Sequence, residues 1–297
     1  MLAGVAWALL AAVIWGGYLA FARAGVVAGL TAFDIMFIRF AIAGAILAPW
    51  FVMAQLTPAT RIPWHRACVM ALLIGPPFLL LGVGGFAHAP LADAALLQPA
   101  TLLVGTTALS LWWLNERLRP GQFVAIVIVL CGLALTFGPS LTSLSGRVLL
   151  GDLMFVTAAL LWALFAILQR RWQIPPLHAA AAVSVLSAVC VVPPYLLARG
   201  FAAFGTLSPA ALFGQVAVHG ILVGIVAIVA FTQSVARLGP QRAALFPALV
   251  PGLALVIGLP VTGEIPTAHQ WFGLGIVSLG LVLGAVPSSG KMERHSP

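Results

Sequence analysis

Long apolar stretches separated by short polar breaks run through the whole chain. Ten stretches without charged residues reach or approach the roughly 20 residues that an α-helix needs to cross a bilayer. Because backbone groups in lipid must be paired within their own segment, these stretches predict membrane-spanning helices. They cover residues 2–22, 40–60, 67–92, 94–115, 120–146, 153–169, 172–198, 200–236, 243–263 and 265–290.

Helix-start signals sharpen several of these boundaries. The second span is expected to begin near Phe33, which would place Arg39 inside it. Capping residues that pair with a partner three positions later, or that precede a proline, are typical of helix amino termini. Such signals are Thr31 with Asp34, Ser208 with Pro209, and Thr267 with Gln270.

The composition agrees with a membrane protein. The chain of 297 residues is 62% hydrophobic and 7% charged, with a mean hydropathy of +1.14. Its net charge of +8 is spread singly between apolar runs, which argues against a nucleic-acid surface. The three cysteines lie within apolar stretches and are interpreted as small core residues. They are Cys68, Cys131 and Cys190.

The basic residues predict the orientation in the membrane. If the chain has ten spans, ten basic residues fall on the side that holds both termini and three fall on the other side. The positive-inside rule therefore predicts cytoplasmic termini. The first group is Arg61, Arg66, Arg117, Arg119, Arg170, Arg171, Arg237, Arg242, Lys291 and Arg294, and the second is Arg23, Arg147 and Arg199. The expected location is the plasma (inner) membrane.

The two halves of the sequence resemble each other. Residues 4–23 align with residues 151–170 without a gap, at an offset of 147. Further pairs follow at an offset of 148, and polar or aromatic matches at a constant offset are hard to attribute to composition. The pairs at an offset of 147 include Trp15 with Trp162 and Arg23 with Arg170, and those at 148 are Pro99 with Pro247, Glu116 with Glu264, Gln122 with Gln270, and Gly132 with Gly280.

This duplication predicts an inverted repeat. Each half has five spans, an odd number, so the second half must enter the membrane in the opposite orientation. The predicted units are residues 1–146, residues 147–290 and a cytoplasmic tail, residues 291–297. Inverted halves can exchange conformations, which favours alternating access.

These features together resemble the drug/metabolite transporter superfamily, specifically its EamA-type ten-helix exporters, over nearly the whole chain. The motifs that carry the resemblance are Trp15-Gly16, Trp162, Gly75-Pro76-Pro77, Pro99 and Pro247 in alanine-rich spans, Asn115-Glu116-Arg117, Gly263-Glu264, Gln122 and Gln270. The resemblance implies export of amino acids, including aromatic ones, or of other small metabolites. The first span has no acid, unlike that of the superfamily's small multidrug exporters.

Aromatic and polar side chains within the spans are the candidate substrate-binding residues, although each could instead serve helix packing. They are Trp15, Tyr18, Phe78, His88, Gln98, Trp162, His219 and Gln233. Prolines within spans are the candidate hinges, namely Pro76, Pro77, Pro99, Pro247 and Pro251. Arg39 could attract an anion or pair with Asp34, and Glu116 and Glu264 are interpreted as capping or loop-anchoring residues.

Other functions fit the sequence less well. A carrier of phosphorylated sugars or nucleotide sugars would need several cations at mid-depth, where only Arg39 is available. An integral membrane enzyme would need a catalytic motif, and the acids lie at helix ends. A channel would need a ring of polar residues. We expect no metal, cofactor or nucleic acid, and partners limited to lipid and a small solute; the oligomeric state stays open, and a monomer is compatible with the sequence.

Overall fold

A computed structural model describes residues 1–137 and 145–285, and it is all-helical over these ranges. Nine of its helical segments are long and apolar enough to span a membrane. One further segment, Phe246–Thr262, is apolar but shorter, and we number it span 9 by its place in the chain. Spans 1 to 10 are Leu2–Val27, Ala32–Leu56, Trp64–Ala87, Leu91–Trp113, Pro120–Phe137, Gly146–Arg171, Pro176–Ala198, Pro209–Leu238, Phe246–Thr262 and Ala268–Ala285.

The expected helix starts are confirmed. Span 2 begins at Ala32, after a capping box in which Thr31 and Asp34 each accept a hydrogen bond from the other's backbone N–H. The side chain of Ser208 likewise accepts from the N–H of Ala211. Charge-free runs underestimate several helices because helices continue past the hydrocarbon core, as Arg23 in span 1 illustrates. Residues 138–144 and 286–290, which the sequence placed in the fifth and tenth stretches, lie outside the described residues.

Three spans depart from regular α-helix. Span 3 is broken at Gly75, where the backbone ψ angle of −129° separates Trp64–Ile74 from Pro76–Gly84. Span 8 contains a π-helical segment, Val216–Val226, and span 9 begins with a 3₁₀ turn, Phe246–Leu249.

The hinge candidates occupy different positions relative to these irregularities. Pro76 and Pro77 start the second part of span 3, Pro247 lies in the 3₁₀ turn and Pro251 in the first helical turn after it. Pro99 lies inside the uninterrupted helix of span 4. Movement at these prolines stays a prediction.

Helix packing has the symmetry of an inverted repeat. Span 1 packs against spans 8 and 9, and its counterpart, span 6, packs against spans 3 and 4. Spans 2 and 7 pack together, as do spans 5 and 10, so exchanging the halves preserves every one of these contacts. The fold is therefore ten transmembrane helices in two inverted five-helix repeats, as predicted. We call the membrane face that holds Met1 the amino-terminal face and the opposite one the distal face.

Repeat-related residues also perform equivalent local tasks. Gln122 and Gln270 each accept a hydrogen bond from the backbone N–H three residues earlier, at Arg119 and Thr267. These contacts cap the starts of spans 5 and 10.

Close packing of spans 5 and 10 relies on another matched pair. A Cβ on Gly132 would lie 2.9 Å from Val277, and one on Gly280 would lie 2.6 Å from Val129, so neither position has room for a side chain. Small residues that let helix backbones approach closely are a common means of packing in membranes.

The interpretation of the cysteines as core residues is wrong. All three are free and exposed on the outer surface of the bundle, because a small sulfhydryl group is tolerated where apolar side chains face lipid.

Candidate functional site

Tyr18 links two polar side chains that lie well inside the helix bundle. Its ring centre is 5.4 Å from the imidazole ring of His219 in an edge-to-face arrangement. The guanidinium carbon of Arg39 lies 5.7 Å from the same ring centre, within the range of a cation–π interaction. Spans 1, 2 and 8 contribute one residue each, so their packing creates this group, which we call the Tyr18 cluster.

The expected alternative partner of Arg39 is engaged elsewhere. The carboxylate of Asp34 accepts hydrogen bonds from the hydroxyl groups of Tyr195 and Thr31, both at 2.6 Å, and lies 3.5 Å from Nε of Arg199. Residues five apart on a helix point about 140° away from each other, which directs Arg39 to another side of span 2. The suggested pairing of Arg39 with Asp34 is therefore wrong.

The two repeat-related tryptophans have matching environments. Trp15 of span 1 lies 5.3 Å from Phe231 of span 8, and Trp162 of span 6 lies 5.8 Å from Phe78 of span 3. Each tryptophan thus contacts a phenylalanine in the third span of the other half. Both tryptophans are half-buried. Lining of a substrate path by these residues stays a prediction.

The remaining candidates are dispersed. Gln98 is buried in span 4, and His88 follows the 3₁₀ turn that ends span 3. Gln233 accepts a hydrogen bond from the guanidinium of Arg237. Because Gln233 follows His219 by 14 residues on the same span, the two are separated by about 20 Å along the helix axis.

An ion pair joins the two halves at the distal face. Nε of Arg23 lies 2.5 Å from Oε1 of Glu264. The Arg23 guanidinium also donates to the carbonyl oxygen of Phe86, and Oε2 of Glu264 accepts from the N–H of Leu91 at 2.9 Å. This distal pair therefore ties together the ends of spans 1, 3, 4 and 9.

A second ion pair joins the halves at the amino-terminal face. Nη2 of Arg170 lies 2.5 Å from Oε1 of Glu116. These side chains are 61% and 41% exposed, whereas those of Arg23 and Glu264 are 20% and 27% exposed. The amino-terminal pair is thus the more solvated of the two.

The two pairs are equivalent under the repeat. Arg23 corresponds to Arg170 and Glu264 to Glu116, and in both pairs an arginine of one half meets a glutamate of the other. Sequence reasoning found both correspondences but interpreted the glutamates as caps or loop anchors. The available signal was that, in the predicted topology, each arginine lies at the same membrane face as a glutamate of the other half.

A small cavity opens beside the distal pair. Its volume is about 210 Å³. Asp93 and Asp152 are both buried near this face. The cavity is lined by Pro90, Leu91, Ala92, Leu255, Glu264, Ile265, Pro266 and Gln270.

Two relatives resemble the chain over most of its length. The protein named "uncharacterized inner membrane transporter YedA" in Escherichia coli strain K12 is 26% identical over 255 residues, which cover 83% of this chain and 79% of the relative. An "uncharacterized transporter" of Archaeoglobus fulgidus is 24% identical over 273 residues, covering 90% and 91% of the two chains.

A solved crystal structure has the same fold. It superimposes with a TM-score of 0.62 at 19% sequence identity, covering 95% of this chain and 96% of the other.

The pattern of the EamA-like transporter family matches the chain twice, over residues 2–138 and residues 149–285. Two consecutive matches agree with the two inverted halves described above. The chain therefore belongs to the EamA-like transporter family and is a multi-pass membrane transporter.

Proposed function

We propose that this transporter exports small metabolites, most suitably amino acids, across the inner membrane by alternating access, and that it is not an enzyme. The observation that carries the proposal is the matched set of Arg–Glu pairs that join the two halves at both faces. In a carrier, one face opens while the other stays closed, so each face needs a contact between moving halves that can break and form again.

The inverted repeat supports such an exchange. If each half adopts the conformation of the other, the environments of the two pairs are exchanged. The distal pair then becomes the solvated one, and the amino-terminal pair gains the buried contacts. Exposed ion pairs contribute only about 0–1 kcal/mol, so the more solvated pair can open at little cost.

The charge distribution supports the orientation in the membrane. In the topology predicted from the sequence, ten basic residues fall on the side of the termini and three on the other side, which supports cytoplasmic termini. The name of the Escherichia coli relative supports the inner membrane as the location. Export then carries solute from the amino-terminal face to the distal face.

The amino-acid class rests on the resemblance to characterised exporters of this type. A carrier of phosphorylated or nucleotide sugars is disfavoured because a phosphate group calls for several converging cations. At mid-depth, the described spans offer Arg39 alone.

Cross-linking the two faces tests alternating access. In a cysteine-free background, Arg23 and Glu264 are both replaced by cysteine, and Arg170 and Glu116 are replaced likewise in a second variant. A short bifunctional thiol reagent should abolish flux of labelled amino acids from proteoliposomes in either variant, because a carrier locked at one face cannot cycle. The single-cysteine variants serve as matched controls, and the reagent should leave the flux of each unchanged relative to the same variant without reagent.

Two results would contradict the proposal. Undiminished flux through a protein cross-linked at one face would indicate a channel. Movement of a sugar phosphate with no movement of any of the twenty amino acids, with or without a pH gradient, would rule out the amino-acid substrate.

A further inference from the structure

We propose that the Tyr18 cluster is an anion site that holds the carboxylate of the transported solute through Arg39. This inference rests on the proposed transport function and assigns the chemistry of its substrate. Four features of the cluster support it: the depth, the charge, the unpaired imidazole and the asymmetry between the halves.

The cluster lies at a depth suited to a substrate site. Arg39 is the eighth residue of span 2, which starts at the distal face, so it lies about 10 Å along the helix from that end. His219 is the eleventh residue of span 8, which starts at the same face, about 15 Å along. In an apolar core about 30 Å thick, His219 lies near the midplane, where the substrate sites of inverted-repeat carriers are found, and Arg39 lies about a third of the way in from the distal face.

The positive charge of Arg39 lacks a counter-ion. Throughout residues 1–137 and 145–285, no carboxylate lies within 4.0 Å of its guanidinium, and no hydrogen bond satisfies it. The side chain is half-buried and covers the ring of Tyr18. A cation within a membrane span is costly unless it is paired, so such a residue is by default a candidate for binding a substrate or ion.

His219 also has unused hydrogen-bonding capacity. The residue is 0% exposed, and neither Nδ1 nor Nε2 has a partner within the described part of the chain. A buried polar group without a hydrogen-bond partner is destabilising until a ligand or water satisfies it. His219 belongs to the π-helical segment Val216–Val226, and π-turns occur often at functional sites because they displace side chains from the regular helical pattern.

The cluster is absent from the other half. At the repeat offset of 147, Tyr18 corresponds to Phe165. The starts of spans 2 and 7 and of spans 3 and 8 differ by 144 and 145 residues, and at these offsets Arg39 corresponds to Val183 or Ser184, and His219 to Gly75 or Ile74. The contacts that join the two halves, such as the paired arginines and glutamates, occur in both halves. The polar cluster occurs once, as expected for a group that contacts a solute rather than one that supports the fold.

The geometry selects a carboxylate among anions. One guanidinium matches one carboxylate in charge and, through two parallel N–H groups, in shape. The ring of Tyr18 lies against the guanidinium, whose N–H groups make no hydrogen bond among the described residues. A doubly charged phosphate would meet only one cation here. An organic acid or amino acid is therefore the class of ligand that the cluster fits.

Ligand-induced thermal stabilisation of the purified protein tests the site. The probes are the twenty amino acids and their keto acids, the amide of each amino acid that stabilises the wild type, and inorganic phosphate. We expect at least one carboxylate to stabilise the wild type and its amide to do so at least 10-fold more weakly. Arg39→Gln should weaken the carboxylate about 10- to 100-fold, and Arg39→Lys by less, since it keeps the charge.

The controls separate this loss from unfolding. Arg61→Gln removes the same charge from an exposed loop and should leave binding unchanged. If Arg39→Gln does not yield a monodisperse protein, Arg39→Lys and Tyr18→Phe provide the comparison, because both keep most of the packing. For both, we expect intermediate affinity together with a retained preference for carboxylate over amide.

Several outcomes would overturn the site. These are equal affinity for carboxylate and amide, unchanged binding in both Arg39 variants, tighter binding of phosphate, and no stabilisation by any carboxylate. Flux distinguishes this failure from failure of the proposed function. Unchanged amino-acid flux in Arg39→Gln would overturn the site and leave transport intact, whereas absent flux in a wild type that binds carboxylates through Arg39 would overturn transport alone.

Discussion

The distal and amino-terminal ion pairs are made from the same residue types at equivalent positions, yet they differ in their surroundings. Arg23 and Glu264 are mostly buried and gain backbone hydrogen bonds from the ends of spans 3 and 4. The side chains of Arg170 and Glu116 are solvated and, among the described residues, form hydrogen bonds only with each other. The strength of a charge pair depends on its environment, so two equivalent pairs can hold the two faces with different strength.

The largest effect should follow removal of the glutamate charge at the distal face. Glu264→Gln leaves Arg23 half-buried without a carboxylate and weakens the bond to the N–H of Leu91. Hydrogen bonds to charged groups contribute about 1.5–3 kcal/mol, so distal opening should increase about 10- to 150-fold. Labelling of Leu255→Cys in a cysteine-free background by an impermeant thiol reagent measures this, because Leu255 is buried beside the distal cavity.

A charge swap provides the control for that variant. Arg23→Glu combined with Glu264→Arg restores an ion pair and should recover part of the protection of the cysteine at position 255. Labelling that stays at the wild-type rate in Glu264→Gln would mean that the distal pair does not hold this face closed.

A smaller effect is expected at the amino-terminal face. Glu116→Gln removes an exposed pair whose contribution is about 0–1 kcal/mol, so labelling at this face should rise less than about fivefold. The reporter is Thr107→Cys, since Thr107 is buried and is the repeat equivalent of Leu255. In about 1 M salt the effect should disappear, because the screening length falls to about 3 Å. An effect as large as that of Glu264→Gln would contradict the difference between the two faces.

The smallest effect should come from an arginine next to the distal pair. Arg147 is exposed and donates one hydrogen bond of 3.0 Å to the carbonyl oxygen of Ala87. Arg147→Gln should change distal opening by about 0.5 kcal/mol or less, as is usual for exposed positions. Labelling of Leu255→Cys measures this change in distal opening. A change as large as that of Glu264→Gln would mean that Arg147 holds the distal face closed as strongly as the Arg23–Glu264 pair does.

The fold was readable from the sequence because the membrane permits few alternatives. Apolar length predicted the ten spans, and the capping pairs predicted the starts of spans 2 and 8. The breaks were harder to predict. The Gly75-Pro76-Pro77 run signalled the one in span 3, but the π-helical segment of span 8 left no sign, because its residues are ordinary helix formers in lipid.

The candidate site was only partly readable. Tyr18 and His219 were chosen as polar residues within spans, but their contact depends on how spans 1 and 8 pack. The partner of Asp34 was misjudged, because proximity in sequence favoured Arg39 whereas the fold brings Tyr195 to the carboxylate. Pairings between the halves require tertiary structure, since an offset reveals which residues are equivalent and not which ones touch.

The π-helical segment of span 8 also bears on how the two halves differ. The repeat offset is 147 up to Arg170 and 148 from Pro247 onward, but the starts of spans 3 and 8 differ by 145 residues, so the two halves differ in length at more than one point between these residues. Val216–Val226 of span 8 is π-helical, whereas its counterpart, span 3, is broken at Gly75. A turn closed between residues i and i+5 shifts side chains around the helix relative to an α-turn. The segment thereby sets the side of span 8 on which His219 meets Tyr18, a contact that the first half does not repeat.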